Sequence, residues 1–301
     1  MHEIILHQYP LSFFAEKIRR ILAYKKIGYR SVDQPMTAPK PELTALTGGY
    51  RRVPVLQIGA DIYCDTELIA RRLEQLVPEP SIYPRECAGL ATLVEDWADH
   101  RFGFQNAAGV IVDLLPSLPA GILDDRAAMS PNLSEPAIRM AAPYLRTQAL
   151  LGMDRLDAQL ASRPFLLGER FSIADAACFH PLWFVQQSPE LFEAVRARPA
   201  LLAWFRRIES FGPGSVRPMS REAALAIAAE ADPVDIEPSP TPRLDVPPAG
   251  TDIAIVADDY GTERTAGKLV RMTADEIVVQ REDDTVGEIA VHFPRGGYRI
   301  C

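Results

Sequence analysis

The chain has 301 residues, 48% hydrophobic and 24% charged, which suits a globular protein of two or three domains with real cores. Its formal net charge of -8 argues against nucleic acid and anionic membrane surfaces as main partners. No apolar run approaches the roughly 20 residues a bilayer needs, and MHEIILHQYP has neither the basic start nor the long apolar stretch of a signal peptide.

EIILHQY reads as a buried strand followed by a helix. Phe14, Ile18, Ile21 and Leu22 share one helical face, and Glu16, Lys17, Arg19 and Arg20 fall outside it. Gly28 stops the helix and YRSVDQ begins a second strand, the opening of a parallel βαβ unit. KPELTALTGG is a short helix opened by Pro41 and closed by a glycine pair. VPVLQI and DIYC form a hairpin, and DTELIARRLEQLVP is a helix with Leu68, Ile69, Leu73 and Leu76 inward, stopped before Pro78. The order over residues 1–80 is βαβαββα.

From residue 86 to 231 the period is helical, which predicts an all-α domain. ECAGLATLVEDWADHRFGFQNAAGVIVDLL is one long helix or two, with kinks at Gly103 and Gly109. SLPAGILDDRAAMSPN reads as a loop, and SEPAIRMAAPYLRTQALLGMDRLDAQLAS as a second long helix. Shorter helices follow at SIADAACFHPLWFV, PALLAWFRRIES and REAALAIAAE. Ser172 and Asp175 have capping-box spacing. Residues 232–249 are proline-rich and read as an extended linker. Residues 250–301 hold short strands separated by turn signals at a spacing of roughly ten residues, which predicts a small β-barrel-like module or rolled sheet.

Cys64, Cys87, Cys178 and Cys301 are far apart, without C-x-x-C spacing, and the histidines are equally dispersed. This predicts neither a metal site nor a disulfide framework, and fits a reducing cytoplasm.

Three places in the first domain fall at one end of the predicted sheet, where α/β folds bind ligands. Ser12 follows the first strand and precedes a helix; it is either a cap or a hydroxyl for chemistry. Asp65-Thr66 opens a helix, where a carboxylate and a hydroxyl serve either as caps or as contacts for an amino-acid head. Val53-Pro54 precedes the third strand; a cis bond there would expose the Val53 main chain for strand-like pairing with an extended peptide. Together these ask for a small peptide-like ligand.

LSFFAEKIRRILAYK resembles the glutathione S-transferase stretch in which a serine or cysteine precedes the first helix, and YRRVPVLQIGADIYCDTELIARRLE resembles that family's K-V-P-x-L … E-S-x-x-I segment. Order, spacing and domain succession agree over about three quarters of the chain. Phe13 stands where the family usually has proline, and Asp65-Thr66 replaces the commoner Glu-Ser. The resemblance implies a thioredoxin-like domain followed by an all-helical domain, with the C-terminal β-module as an addition. It implies a cytoplasmic homodimer that binds glutathione as co-substrate, without a metal. The γ-glutamyl head would lie at Asp65 and Thr66, the cysteinyl main chain at Val53-Pro54, and the glycyl carboxylate near one of Lys40, Arg51 and Arg52, with Arg52 favoured. Ser12 would sit beside the thiol, with Tyr9 as its rival. Phe14, Trp97, Arg101 and Phe102 would line the place of a small electrophilic second substrate.

The implied activity is stabilisation of the glutathione thiolate and its transfer to that electrophile. The absence of cysteine at position 12 argues against the branches that work through a mixed disulfide. The alternative is a non-catalytic binding or adaptor protein, in which the C-terminal module recruits a partner.

Overall fold

A computed structural model describes residues 3–234 and 247–301. Most of the proline-rich stretch 232–249 lies outside the described residues.

The strands are β1 (Ile5–Gln8), β2 (Tyr29–Asp33), β3 (Val55–Ile58), β4 (Asp61–Cys64), β5 (Val216–Met219), β6 (Asp252–Ala257), β7 (Thr265–Met272), β8 (Glu276–Asp283), β9 (Gly287–Pro294) and β10 (Tyr298–Ile300). The first helices are α1 (Phe13–Tyr24), α2 (Pro41–Thr47) and α3 (Thr66–Leu76). Then come α4 (Ala88–Trp97), α5 (Gly103–Leu114), α6 (Ile122–Met129), α7 (Glu135–Leu160), α8 (Ile173–Val185), α9 (Pro189–Arg196), α10 (Pro199–Glu209) and α11 (Arg221–Ala229).

The chain divides into two compact units. The first holds every strand, in one ten-stranded sheet ordered β10-β6-β7-β8-β9-β4-β3-β1-β2-β5. Its middle is thioredoxin-like: β1 runs parallel to β2, and β3 lies antiparallel to both β1 and β4. The predicted C-terminal strands are present, but they do not close on themselves as a barrel. β9 pairs in parallel with β4, so β6–β10 extend the same open sheet. The reason is burial. Leu43, Leu46, Val55 and Ile62 share one apolar cluster with Ile277, Val279, Val291 and Phe293, and strands with that much apolar surface stabilise most by burying it on an existing core. At the opposite edge β5, which sequence reading missed, runs parallel to β2. Helix α11 belongs to this unit: Gln57 donates to the Ala224 carbonyl, and Ala224 packs with Ile5 and Val32.

The second unit is helical and includes α1 and the helices from α4 to α10. Between α4 and α5 lies a π-helical segment, Ala98–Phe102, which ends next to Gly103, whereas Gly109, the other expected kink, lies inside α5. Helix α6 occupies the stretch expected to be a loop; of its residues only Ile122 is buried, so its sequence carries no amphipathic signal. Asp175 makes the expected capping pair, accepting from the Ser172 N–H at 2.9 Å and its hydroxyl at 2.7 Å.

Helix α1 differs most from expectation. Glu16, Lys17, Arg19 and Arg20 are buried along with its apolar face. Each finds an opposite charge: Glu16 pairs with Arg19 and Arg20, and the Lys17 ammonium reaches Glu95 at 2.7 Å and Asp99 at 2.5 Å. Buried charges persist when paired in this way.

Candidate functional site

The strand registers define one edge of the sheet. His7 of β1 lies opposite Val55 of β3, and Val55 lies opposite Cys64 of β4. Just beyond this row the chain leaves all three strands, which brings Ser12, Val53 and Asp65 to the same end.

Ser12 is only 4% exposed, and its N–H closes a turn on the Tyr9 carbonyl at 3.0 Å. The Val53-Pro54 peptide is cis. The main-chain N–H and C=O of Val53 make no hydrogen bond to any described residue, so they are available to an extended ligand. Asp65 has φ 75, a left-handed conformation uncommon outside glycine. That backbone sets its carboxylate at the start of α3, where Oδ1 accepts from the Glu67 N–H at 3.0 Å. Thr66, the first residue of α3, is buried.

The other Asp65 oxygen meets a residue that local reading did not find. Tyr298 of β10 donates its hydroxyl to Oδ2 at 3.0 Å. Burial, then the negative charge of Asp65, push the Tyr298 pKa well up, so the hydroxyl keeps its proton and acts as donor. Tyr50 lies beside it, its oxygen 3.5 Å from that of Tyr298, and it is shifted up by the same causes.

Arg52 is engaged as well. Its guanidinium grips the Asp259 carboxylate through both terminal nitrogens and lies over the Tyr260 ring, 3.8 Å from the centroid. Its Nε is buried and has no hydrogen-bond partner among the described residues. Lys40 donates to the Arg51 carbonyl at 3.1 Å and lies 5.7 Å from the centroid of Tyr9. Lys40, Arg51 and Glu263 line a cleft of about 490 Å³ in this unit. Tyr260, Asp259 and Tyr298 are separated from the residues they touch by about two hundred positions, and no spacing rule connects them.

Cys64, at the end of β4, is buried. Burial, then Asp65, raise its thiol pKa well above the usual value, which makes it a poor nucleophile.

The residues read as lining for a second substrate fall in the helical unit. Phe14 packs against Phe13 and the His180 ring, at 4.6 and 5.0 Å between centroids. Trp97 stacks on Phe102, which is fully buried. Sequence reading missed the charged group below them: His180 Nε2 lies 2.9 Å from Asp99, the carboxylate that also binds Lys17. Burial pulls the His180 pKa down against the opposing pull of Asp99, so the ring is neutral and donates from Nε2.

Comparisons with known proteins agree with this architecture. The family model for the glutathione S-transferase N-terminal domain matches residues 6–81, and that for the C-terminal domain matches residues 125–207. No curated protein sequence matches the chain. Among solved structures, a GST-like protein from Pseudomonas syringae is 38% identical, with 99% of this chain and 100% of that chain covered and a TM-score of 0.84. That match takes in the C-terminal strands. A glutathione S-transferase from Rhodospirillum rubrum is 20% identical over 70% of this chain and 89% of its own, with a TM-score of 0.56. FzlA from C. crescentus is 22% identical over 74% of this chain and 92% of its own, with a TM-score of 0.53; these two share the fold. With both family domains matched in order and a GST-like relative aligned from end to end, the chain belongs to the glutathione S-transferase family.

Proposed function

We propose that the protein is a glutathione-dependent transferase that joins the glutathione sulfur to a small electrophile. The observation that carries this reading is the meeting of Ser12, Val53 and Asp65 beyond the row His7–Val55–Cys64. The free main chain of Val53 suits the cysteinyl unit of an extended tripeptide. The Asp65 carboxylate and the Thr66 hydroxyl, at the head of α3, suit the ammonium and carboxylate of the γ-glutamyl head.

Ser12 then stands next to the sulfur. An ordinary thiol has a pKa of about 8.5, so little of it is thiolate at neutral pH. A hydroxyl that donates to the sulfur favours the anion, and the start of α1, immediately after Ser12, adds positive potential. Lowering the thiol pKa by about two units is about 2.7 kcal/mol of preference for the thiolate. The thiolate attacks the electrophilic carbon, the sulfur–carbon bond forms and the leaving group departs with its electron pair. No general base is needed at the carbon.

A non-catalytic binding role is favoured by a different observation: Tyr298 and Asp259 already engage Asp65 and Arg52. Calorimetry with glutathione tests the binding, and turnover of a generic aryl halide separates the two roles. Asp65→Ala should weaken glutathione binding by about 1.5–3 kcal/mol, the worth of a charge-assisted contact. Binding without turnover would assign the protein to the non-catalytic role. Unchanged affinity in Asp65→Ala would overturn the placement of the head.

A further inference from the structure

The C-terminal strands carry two groups that resemble the ends of the proposed ligand. Glutathione presents an ammonium donor at its γ-glutamyl end and a carboxylate at its glycyl end. Tyr298 presents a hydrogen-bond donor to Asp65, 3.0 Å away, and Asp259 presents a carboxylate to Arg52. The Arg52 guanidinium also lies over the Tyr260 ring.

These groups act as one piece. In the antiparallel pairing of β10 with β6, Tyr298 lies opposite Ala257, so Asp259 and Tyr260 leave β6 next to it. The Asp258 N–H donates to the Gly297 carbonyl at 3.0 Å and ties the two segments together. The body of the extension is fixed, because β8 and β9 are buried in the core that they share with β4. The piece over the site is its rim: the β6–β7 connection and β10, a three-residue edge strand with a single neighbour. Each half has a glycine in the left-handed region beside its contact residue, Gly261 at φ 61 and Gly297 at φ 74. The Tyr298 ring belongs to the shared apolar cluster, so what gives way is its hydroxyl contact and the exposed Asp259 side chain, not the seating of the strands.

Resting on the glutathione reading, we propose that Tyr298 and Asp259 form an internal stand-in for the ligand, a strap that holds Asp65 and Arg52 until glutathione displaces it. Entry of the tripeptide exchanges the Tyr298–Asp65 contact for an ammonium–carboxylate pair, and the Asp259–Arg52 pair for the glycyl carboxylate. Apparent affinity is then reduced by the fraction of molecules in which the strap is seated.

The test is a calorimetric titration of full-length wild type, Tyr298→Phe, Asp259→Ala and the double variant with glutathione, with thermal melts to verify folding. The strap predicts tighter binding in each single variant and at least a tenfold gain in the double. Asp259 is exposed, so its replacement tests the idea even where Tyr298→Phe disturbs the core. Weaker or unchanged binding in folded Asp259→Ala would overturn the strap and leave the glutathione reading standing. If none of the four proteins binds glutathione at millimolar concentration, the glutathione reading falls and the strap falls with it.

Discussion

Nε2 of His292, in β9, lies 2.9 Å from Oδ1 of Asp61, in β4, across the seam that joins the C-terminal strands to the thioredoxin-like sheet. The other ring nitrogen is 2.8 Å from Glu276 of β8. A carboxylate at each nitrogen is satisfied only if both nitrogens donate, which requires the imidazolium. Burial alone would lower the His292 pKa, but Asp61 and Glu276 outweigh it and hold the value above normal.

The sign of the resulting pH effect follows. A raised folded-state pKa contributes stability that is complete below about 6.5, the unfolded value, and is lost as pH rises through the folded value. His292→Gln should be less stable than wild type by about 3–5 kcal/mol near pH 6, because it leaves two carboxylates without their cation. The difference in melting temperature between the two proteins should narrow as pH rises from 6 to 9. A constant difference would mean that the charge on His292 does not pin the seam.

Ser12 separates a cap from a catalyst. As a cap only, Ser12→Ala would cost roughly 0.5–2 kcal/mol of stability and leave the bound thiol unchanged. As a donor to sulfur, Ser12→Ala should raise the pKa of bound glutathione, and Ser12→Asp should raise it further, since a carboxylate caps a helix yet repels a thiolate. Ultraviolet titration of enzyme-bound glutathione in the three proteins gives the order. Identical titrations would transfer the role to Tyr9 or to a backbone amide.

Lys17 should be the most sensitive charged position of the helical unit. Its ammonium is fully buried between Glu95 and Asp99, and Asp99 also binds His180. Burial opposes the ammonium, but the two carboxylates outweigh it and hold the Lys17 pKa above normal. Lys17→Met removes the cation and strands the carboxylates, at an expected loss of about 3–5 kcal/mol by urea denaturation. Replacing Glu95 with glutamine in the same chain should recover part of that loss by removing one stranded charge.

The family's dimers suggest the last prediction. Leu90 and Leu93 on α4 are 53% and 69% exposed, and Met140 and Tyr144 on α7 are 82% and 64% exposed. Apolar side chains this open on two long helices suit the face of a second copy. Leu93→Glu should shift sedimentation from dimer toward monomer at micromolar concentration, with the melting temperature of the protomer little changed. A wild type that sediments as a monomer would refute the dimer.

Much of the molecule was legible where the signal is local. Ile18, Ile21 and Leu22 repeat with the helical period, Gly48 closes α2 in the left-handed conformation, and Val53-Pro54 and Asp65-Thr66 stand where strands meet loops. The sequence by itself therefore determined the thioredoxin-like order, the helical domain after it, and a set of residues at one sheet edge. Tertiary structure alone decided what those residues touch. Lys17 merely falls outside the apolar face of its helix until Glu95 and Asp99 arrive from α4 and the π-helical segment. The C-terminal strands read as a separate module until β9 pairs with β4 and His292 reaches Asp61. Asp65 reads as open to a ligand until Tyr298 comes within 3.0 Å from 233 positions along the chain. Periodicity and capping record how a residue relates to neighbours within a few positions. Pairing across a sheet and burial of a charge depend on surfaces that meet only when the core closes, and nothing in the local pattern encodes which surfaces those are.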